Sequence, residues 1–337
     1  MLVLSRDNST VIKGIAILMM LFIHLFDYGN AALCVNLLHV GDTPLAAWLA
    51  GACNCVPYFL LLSGYGLACK YEQGKLEPKH QAERTLFLYL HYWIVLAVFL
   101  TIGHFIYPER YPGGLGTLIA NMLGWHTTYN HEMWFLLPYV AISIASLGII
   151  GLVERVDPYW SVGVTAVLNI VISLFINRNS ALLNHNVALF QLLIFGQFLY
   201  YFVVGVFLRR TTIGLNRPMP QWAVISAMAV LTLLLCATKQ YLLYMACAPL
   251  MVILFCHINY PRLLLSMLRE LGRKSMPMWM IHTWLSSYLF QPQVYSLRYP
   301  LLIFIALVLV SYLLSIPVMW VTDKLWQTTT GLLSHRQ

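Results

Sequence analysis

The chain has 337 residues, of which 60% are hydrophobic and only 9% charged, with a formal net charge of +8. That leaves too few solvating side chains for an ordinary soluble surface, which excludes a water-soluble protein and defines an integral membrane one. The positive excess is explained by membrane orientation, and no nucleic-acid motif accompanies it.

Apolar segments near the spanning length of about 20 residues recur from end to end and leave no run for a separate soluble domain. The reading is one membrane-embedded domain over 1–337, an all-α polytopic bundle of about ten transmembrane helices. The expected spans are 11–28, 45–69, 84–106, 133–153, 160–176, 187–208, 221–238, 241–258, 275–291 and 300–322. A Gly-rich apolar piece near 113–125 is too short to cross and reads as a re-entrant or interfacial segment.

The first span, Val11 to Tyr28, carries Lys13 and His24. Eleven residues is almost three helical turns, so both side chains leave one face within about 20°, ~16 Å apart along the axis. Ionisable groups inside a span are costly and mark function by default. A cation near one surface and an imidazole near mid-bilayer suit an anionic substrate tail and proton chemistry on its reactive end. A second reading stays open, in which Lys13 snorkels to the interface and His24 packs against a backbone carbonyl. Asp27, three residues on, is placed to orient His24 or simply to meet water.

In the second span Ser63, Gly64 and Tyr65 lie about two turns from Lys70; the third begins at Arg84 with His91 two turns in; the ninth begins at Ser275 with His282 two turns in. At helical rise these groups share one level, ~10 Å from the N-terminal side of the membrane. Each also has a packing explanation: small residues permit close helix contact, and buried imidazoles bond to carbonyls. Between the third and fourth spans the loop closes with Tyr129-Asn130-His131-Glu132-Met133-Trp134-Phe135. A carboxylate and a histidine beside aromatic rings suit sugar binding, although an interfacial aromatic belt has the same composition. The seven cysteines are odd in number and mostly intramembrane, where they act as small hydrophobes; no metal site is expected.

Charge fixes the expected orientation. If 113–125 does not cross, sixteen of the 20 lysines and arginines, Arg217 and Arg336 among them, lie on the N-terminal side, with only Arg110, Arg178, Lys239 and Arg298 opposite. If it crosses, the two sides come out nearly even. The positive-inside rule selects the first arrangement, with both termini cytoplasmic in an inner or plasma membrane.

Four stretches together resemble the acyltransferase family 3 group of integral membrane proteins. Ile12-Lys13-Gly14-Ile15-Ala16 through His24 is similar to its opening basic-x10-His motif, and Val56-Pro57-Tyr58-Phe59-Leu60 through Ser63-Gly64-Tyr65 to its second helix. Asn130-His131-Glu132-Met133-Trp134-Phe135 resembles its outer-loop Asn-Gly-Glu-Trp-Trp-Phe, and Leu271-Gly272-Arg273-Lys274-Ser275-Met276 through Trp279-Met280-Ile281-His282 its late helix. The resemblance implies transfer of an acyl group, by analogy acetyl, from cytoplasmic acetyl-CoA as co-substrate to a hydroxyl of an extracytoplasmic sugar or polysaccharide. It implies His24 as general base, with Asp27, Ser63 and His282 assisting. Lys13, Arg84, Tyr65 and Lys274 would hold the donor, with the basic loops 70–84, 209–220 and 259–274 nearby. Glu132, Trp134 and Asn130 would hold the acceptor. Three departures stand out. Lys13 replaces an arginine and so lacks its bidentate fork; Phe87 stands where a second arginine often follows Arg84; and His131 and Met133 replace Gly and Trp. The competing class is a multi-pass transporter or flippase of a lipid-linked sugar, against which stands the absence of paired symmetric halves.

Overall fold

The computed structural model describes residues 4–27, 29–211 and 219–334; Tyr28, Arg217 and Arg336, named above, lie outside them, as does the middle of the 209–220 loop. Helix α1 (Arg6–Phe26) starts five residues before the apolar stretch, because Ser5 caps it by accepting the Asn8 N–H at 3.0 Å and Asp7 faces the positive end of the helix. His24 therefore sits in the last turn of α1, about 27 Å from its first residue, rather than near its middle.

After a 3₁₀ turn and a two-residue hairpin (His39–Val40 with Thr43–Pro44) come α2 (Leu45–Ala50) and α3 (Val56–Glu72). The expected span 45–69 is thus broken: the chain leaves helical geometry over 51–55 and restarts with Pro57 in the first turn of α3, where a missing N–H costs nothing. Next are α4 (Pro78–Ile106) and α5 (Leu115–Met122). Helix α5 has eight residues, far short of a crossing, and its exposed carbonyls are met by α4. Tyr92 donates to Asn121 O at 2.8 Å, Trp93 to Met122 O at 2.9 Å and Tyr89 to Leu123 O at 2.8 Å. These partners lie about 20 Å back from the end of α4, so the segment re-enters the bundle and returns.

A 3₁₀ turn (His131–Phe135) then leads into α6 (Leu136–Arg155), followed by α7 (Pro158–Arg178), α8 (Ser180–His185), α9 (Val187–Arg210), α10 (Gln221–Thr238), α11 (Tyr241–His257), α12 (Arg262–Thr283), α13 (Gln291–Tyr295) and α14 (Pro300–Ser334). Among the described residues seven helices are long and apolar enough to cross a membrane: α1, α4, α6 with its leading turn, α7, α9, α10 and α14. Helix α11 is a shorter apolar one. The ninth expected span, 275–291, corresponds to α12, which starts thirteen residues earlier. Its first half is amphipathic and its polar face is kept ordered by ion pairs: Arg269 grips Asp7 with two 2.7 Å bonds, and Arg273 and Lys274 pair with Glu270. The helix ends in a π turn, Trp284–Tyr288.

Two glycine crossings bind the bundle. A Cβ on Gly14 would overlap the Leu268 carbonyl, and one on Gly272 would overlap the Thr10 carbonyl and crowd Gly14 N at 3.1 Å. Gly64 and Gly205 repeat the arrangement between α3 and α9, each facing the other helix's backbone. Glycine is required at these four positions because the backbones themselves touch. Accordingly α1 packs most extensively on α12, and α3 on α9. His24 and His282 each lie ten residues beyond the α1–α12 crossing and meet there, so the two helices run parallel.

Candidate active site

The parallel register brings three groups of distant sequence together. His24 Nδ1 lies 2.7 Å from His282 Nε2, and His24 Nε2 lies 3.1 Å from Glu132 Oε2. His282 is fully buried, with its Nδ1 2.7 Å from the Trp279 carbonyl and 3.3 Å from that of Met278. A carbonyl only accepts, so Nδ1 of His282 carries hydrogen, and the neutral ring presents its Nε2 lone pair to His24. His24 Nδ1–H then donates to His282, which leaves His24 Nε2 as the nitrogen facing Glu132. One further proton lies in that last contact, since a 3.1 Å approach of nitrogen and carboxyl oxygen requires hydrogen on one of them. His24 is 17% and Glu132 28% exposed, so the line of groups runs from the buried interior outwards.

Glu132 is held from both sides. Asn130 Oδ1 accepts the Glu132 N–H at 3.2 Å and the Thr283 hydroxyl at 3.0 Å, tying the outer turn to α12. The Tyr288 hydroxyl, aimed by the π turn, accepts the His131 N–H at 2.8 Å.

A cavity of about 930 Å³, within the range of sites that enclose a whole small ligand, lies between α1, α3, α4, α6 and α12. Arg6, Lys13, Lys70, Lys75, Arg84 and Arg273 line one end; Met20, Phe59, Phe135, Tyr139 and Trp279 line the other. Met20 is one turn before His24 on the same face of α1, and Trp279 is the residue whose carbonyl holds His282. Ser63 and Tyr65 are also on the wall: Ser63 Oγ is 2.9 Å from the Tyr139 hydroxyl, and the Tyr65 hydroxyl accepts the Leu4 N–H at 3.2 Å. Arg84 is steadied by Gln81 at 3.2 Å, and Phe87 lines the wall beside it.

Several expectations change. His282 does not share a level with Ser63 and His91; α12 begins earlier than its apolar part, which puts His282 in its last turn with His24. His91 instead bonds to the Phe87 carbonyl at 2.9 Å. Asp27 ends α1 with its N–H on the Ile23 carbonyl, and the place beside His24 Nδ1 is taken by His282. Lys274 is not on the cavity wall: it pairs with Glu270 and lies 5.0 Å above the Tyr312 ring, while its neighbour Arg273 faces the cavity. Trp134 packs between Phe135 and Phe198 instead of offering an outer platform. Arg6, Lys70, Lys75 and Thr283 were not singled out from the sequence. Arg6 was visible only as a boundary cation, Lys70 and Lys75 only as members of the basic loop 70–84, and Thr283 only as the residue after a histidine.

The arrangement sets a cation-lined chamber in the same bundle as an imidazole whose Nδ1 is held by a hydrogen bond, groups of the kind that acyl or other group transfer uses. Comparison with curated proteins and with solved structures returned no match. A family profile described as an acyltransferase domain matches residues 7–321, nearly the whole chain. The chain belongs to the acyltransferase 3 family and is a polytopic membrane acyltransferase.

Proposed function

We propose that the protein transfers an acetyl group from cytoplasmic acetyl-CoA to a hydroxyl of an extracytoplasmic glycan. The observation that carries this reading is a cavity lined by six cations and also by Met20 and Trp279, residues about one helical turn before His24 and His282 of the His24–His282–Glu132 cluster. The phosphates of the donor belong with Arg6, Lys13, Lys70, Lys75, Arg84 and Arg273. The eleven residue steps from Lys13 past Met20 to His24 span ~16 Å, a length suited to a pantetheine arm. Lys13, Lys70 and Lys75 act as point charges beside the guanidinium forks of Arg6, Arg84 and Arg273, so several cations share the phosphates.

In the reaction the acceptor hydroxyl enters beside Glu132, whose carboxyl withdraws with the proton of that contact, and takes its place at the free His24 Nε2. Its oxygen attacks the thioester carbonyl carbon as its proton passes to Nε2. Collapse of the tetrahedral adduct breaks the C–S bond, and His24 returns the proton to the departing CoA sulfur. A base of this kind contributes typically 10²–10⁴-fold. His282 keeps His24 in the tautomer with a free Nε2, the task first assigned to Asp27. With Arg6 and the cation cluster cytoplasmic, both described chain ends lie inside and Glu132 opens outwards.

Proteoliposomes test the reading. Acetyl-CoA supplied on the side of the cation cluster, with a cell-surface glycan extract on the other, should give acetylated glycan; product formed only when both are on one side would refute the transmembrane arrangement.

A further inference from the structure

Asn130 is 2% exposed and sits in the turn that carries Glu132. One branch of its amide is fully used, because Oδ1 receives both the Glu132 N–H and the Thr283 hydroxyl. A backbone N–H can only donate, so the atom that receives it is the carbonyl oxygen, and the orientation of the amide follows. The other branch, Nδ2 with its two N–H donors, is buried without a protein partner among the described residues.

Such a donor is costly, at about 1–3 kcal/mol when its bonds are unmade. Nothing in the cap requires it, because Asp, Ser or Thr would accept the Glu132 N–H equally well. What asparagine adds at this position is the Nδ2 donor. The residue that carries it is tied to the reacting groups: Glu132 is two residues on, Thr283, which bonds to Oδ1, directly follows His282, and both Glu132 and His282 meet His24. Other polar groups nearby are engaged. Both ring nitrogens of His282 are bonded, and Ser63 is bonded to Tyr139.

Building on the acyl-transfer reading above, we infer that Asn130 is a catalytic residue whose Nδ2–H holds the oxyanion formed when the acceptor hydroxyl attacks the thioester. As the hydroxyl oxygen bonds to the carbonyl carbon, the C=O electron pair moves onto oxygen and is held by Nδ2–H; the pair returns as the C–S bond breaks. A fixed donor of this sort strengthens as charge develops, and removing one costs about 10²–10³-fold in kcat.

Asn130→Asp tests this, because it keeps the acceptor for Glu132 and Thr283 and the shape of the side chain while exchanging Nδ2 for oxygen. Expected is a kcat at least about 100-fold below wild type, with acetyl-CoA binding unchanged and the pH profile lowered without displacement. Thr283→Val, which removes one contact of Oδ1 and leaves Nδ2, should lose much less kcat than Asn130→Asp. If Asn130→Asp fails to fold, Asn130→Ser, which caps the turn but does not reach the Nδ2 position, carries the same expectation. An Asn130→Asp enzyme with wild-type kcat overturns the inference, as does a wild-type kcat in Asn130→Ser, which removes the donor without adding charge. A Thr283→Val loss equal to that of Asn130→Asp would reduce Asn130 to a structural cap and overturn it too. Wild-type protein without acceptor-dependent CoA release would remove the acyl-transfer reading itself, and this inference with it.

Discussion

Replacing His282 by alanine separates the base from the group that orients it. The side chain is fully buried and makes a 2.7 Å bond to His24 Nδ1. Its loss leaves the His24 Nδ1–H without an acceptor at the closed end of the site, a defect of about 1–3 kcal/mol. His24 relieves it by turning its ring or shifting its proton to Nε2, and in either state Nε2 no longer receives the acceptor proton. At 1.36 kcal/mol per factor of ten, kcat should fall by about 5- to 150-fold. His282 does not line the cation-lined cavity, so KM for acetyl-CoA should be unchanged. His282→Gln, whose carbonyl oxygen can accept from His24, should recover part of the rate. The assay is CoA release by purified protein in nanodiscs with glycan acceptor, with a melting curve to show that the variant is folded. An unchanged kcat, or a loss expressed wholly in KM, would refute the orienting role.

The cation cluster predicts a different signature: Lys70→Met and Arg84→Met should each raise KM for acetyl-CoA about tenfold, more at low salt than at high, with kcat retained. Gly64→Ala and Gly272→Ala force a methyl group into a facing backbone carbonyl and should each lower stability by about 1–3 kcal/mol in detergent melts, whereas Gly148→Ala, with open space around it, should be neutral or slightly stabilising. Asn169 donates to the Gln197 carbonyl at 2.7 Å, and Gln197 donates to Ser173 at 2.8 Å, a buried polar link between α7 and α9. Asn169→Leu should cost about 0.5–2 kcal/mol of stability and leave kcat untouched.

Much of this was legible in the sequence, for reasons that also explain what was not. Hydropathy reads the lipid-facing length of a helix, so α7, α9 and α10 fall where expected, as does the end of α4. It does not read where a helix continues into water under ion pairing, and for that reason α1 and α12 began later in expectation than in space. That offset of thirteen residues in α12 moved His282 to the wrong level and hid its contact with His24. The signal that could have found it is the pairing of Gly14 with Gly272, each ten residues before its histidine. The re-entrant segment was legible because thirteen apolar residues cannot cross and because charge rejects the alternative. Which cations face the cavity was not, since Arg273 and Lys274 differ by one helical step, and only the position of Glu270 and Tyr312 decides between them. Asp27 was the nearest acid to His24 in the chain, but a partner 258 residues away took that place.

The most direct measurement is acetyl-CoA turnover by the purified protein in nanodiscs, wild type beside His24→Ala, with and without a cell-surface glycan extract. The account predicts glycan-dependent CoA release that falls by at least about 100-fold in the variant while acetyl-CoA binding persists. Near-normal release from His24→Ala would contradict it.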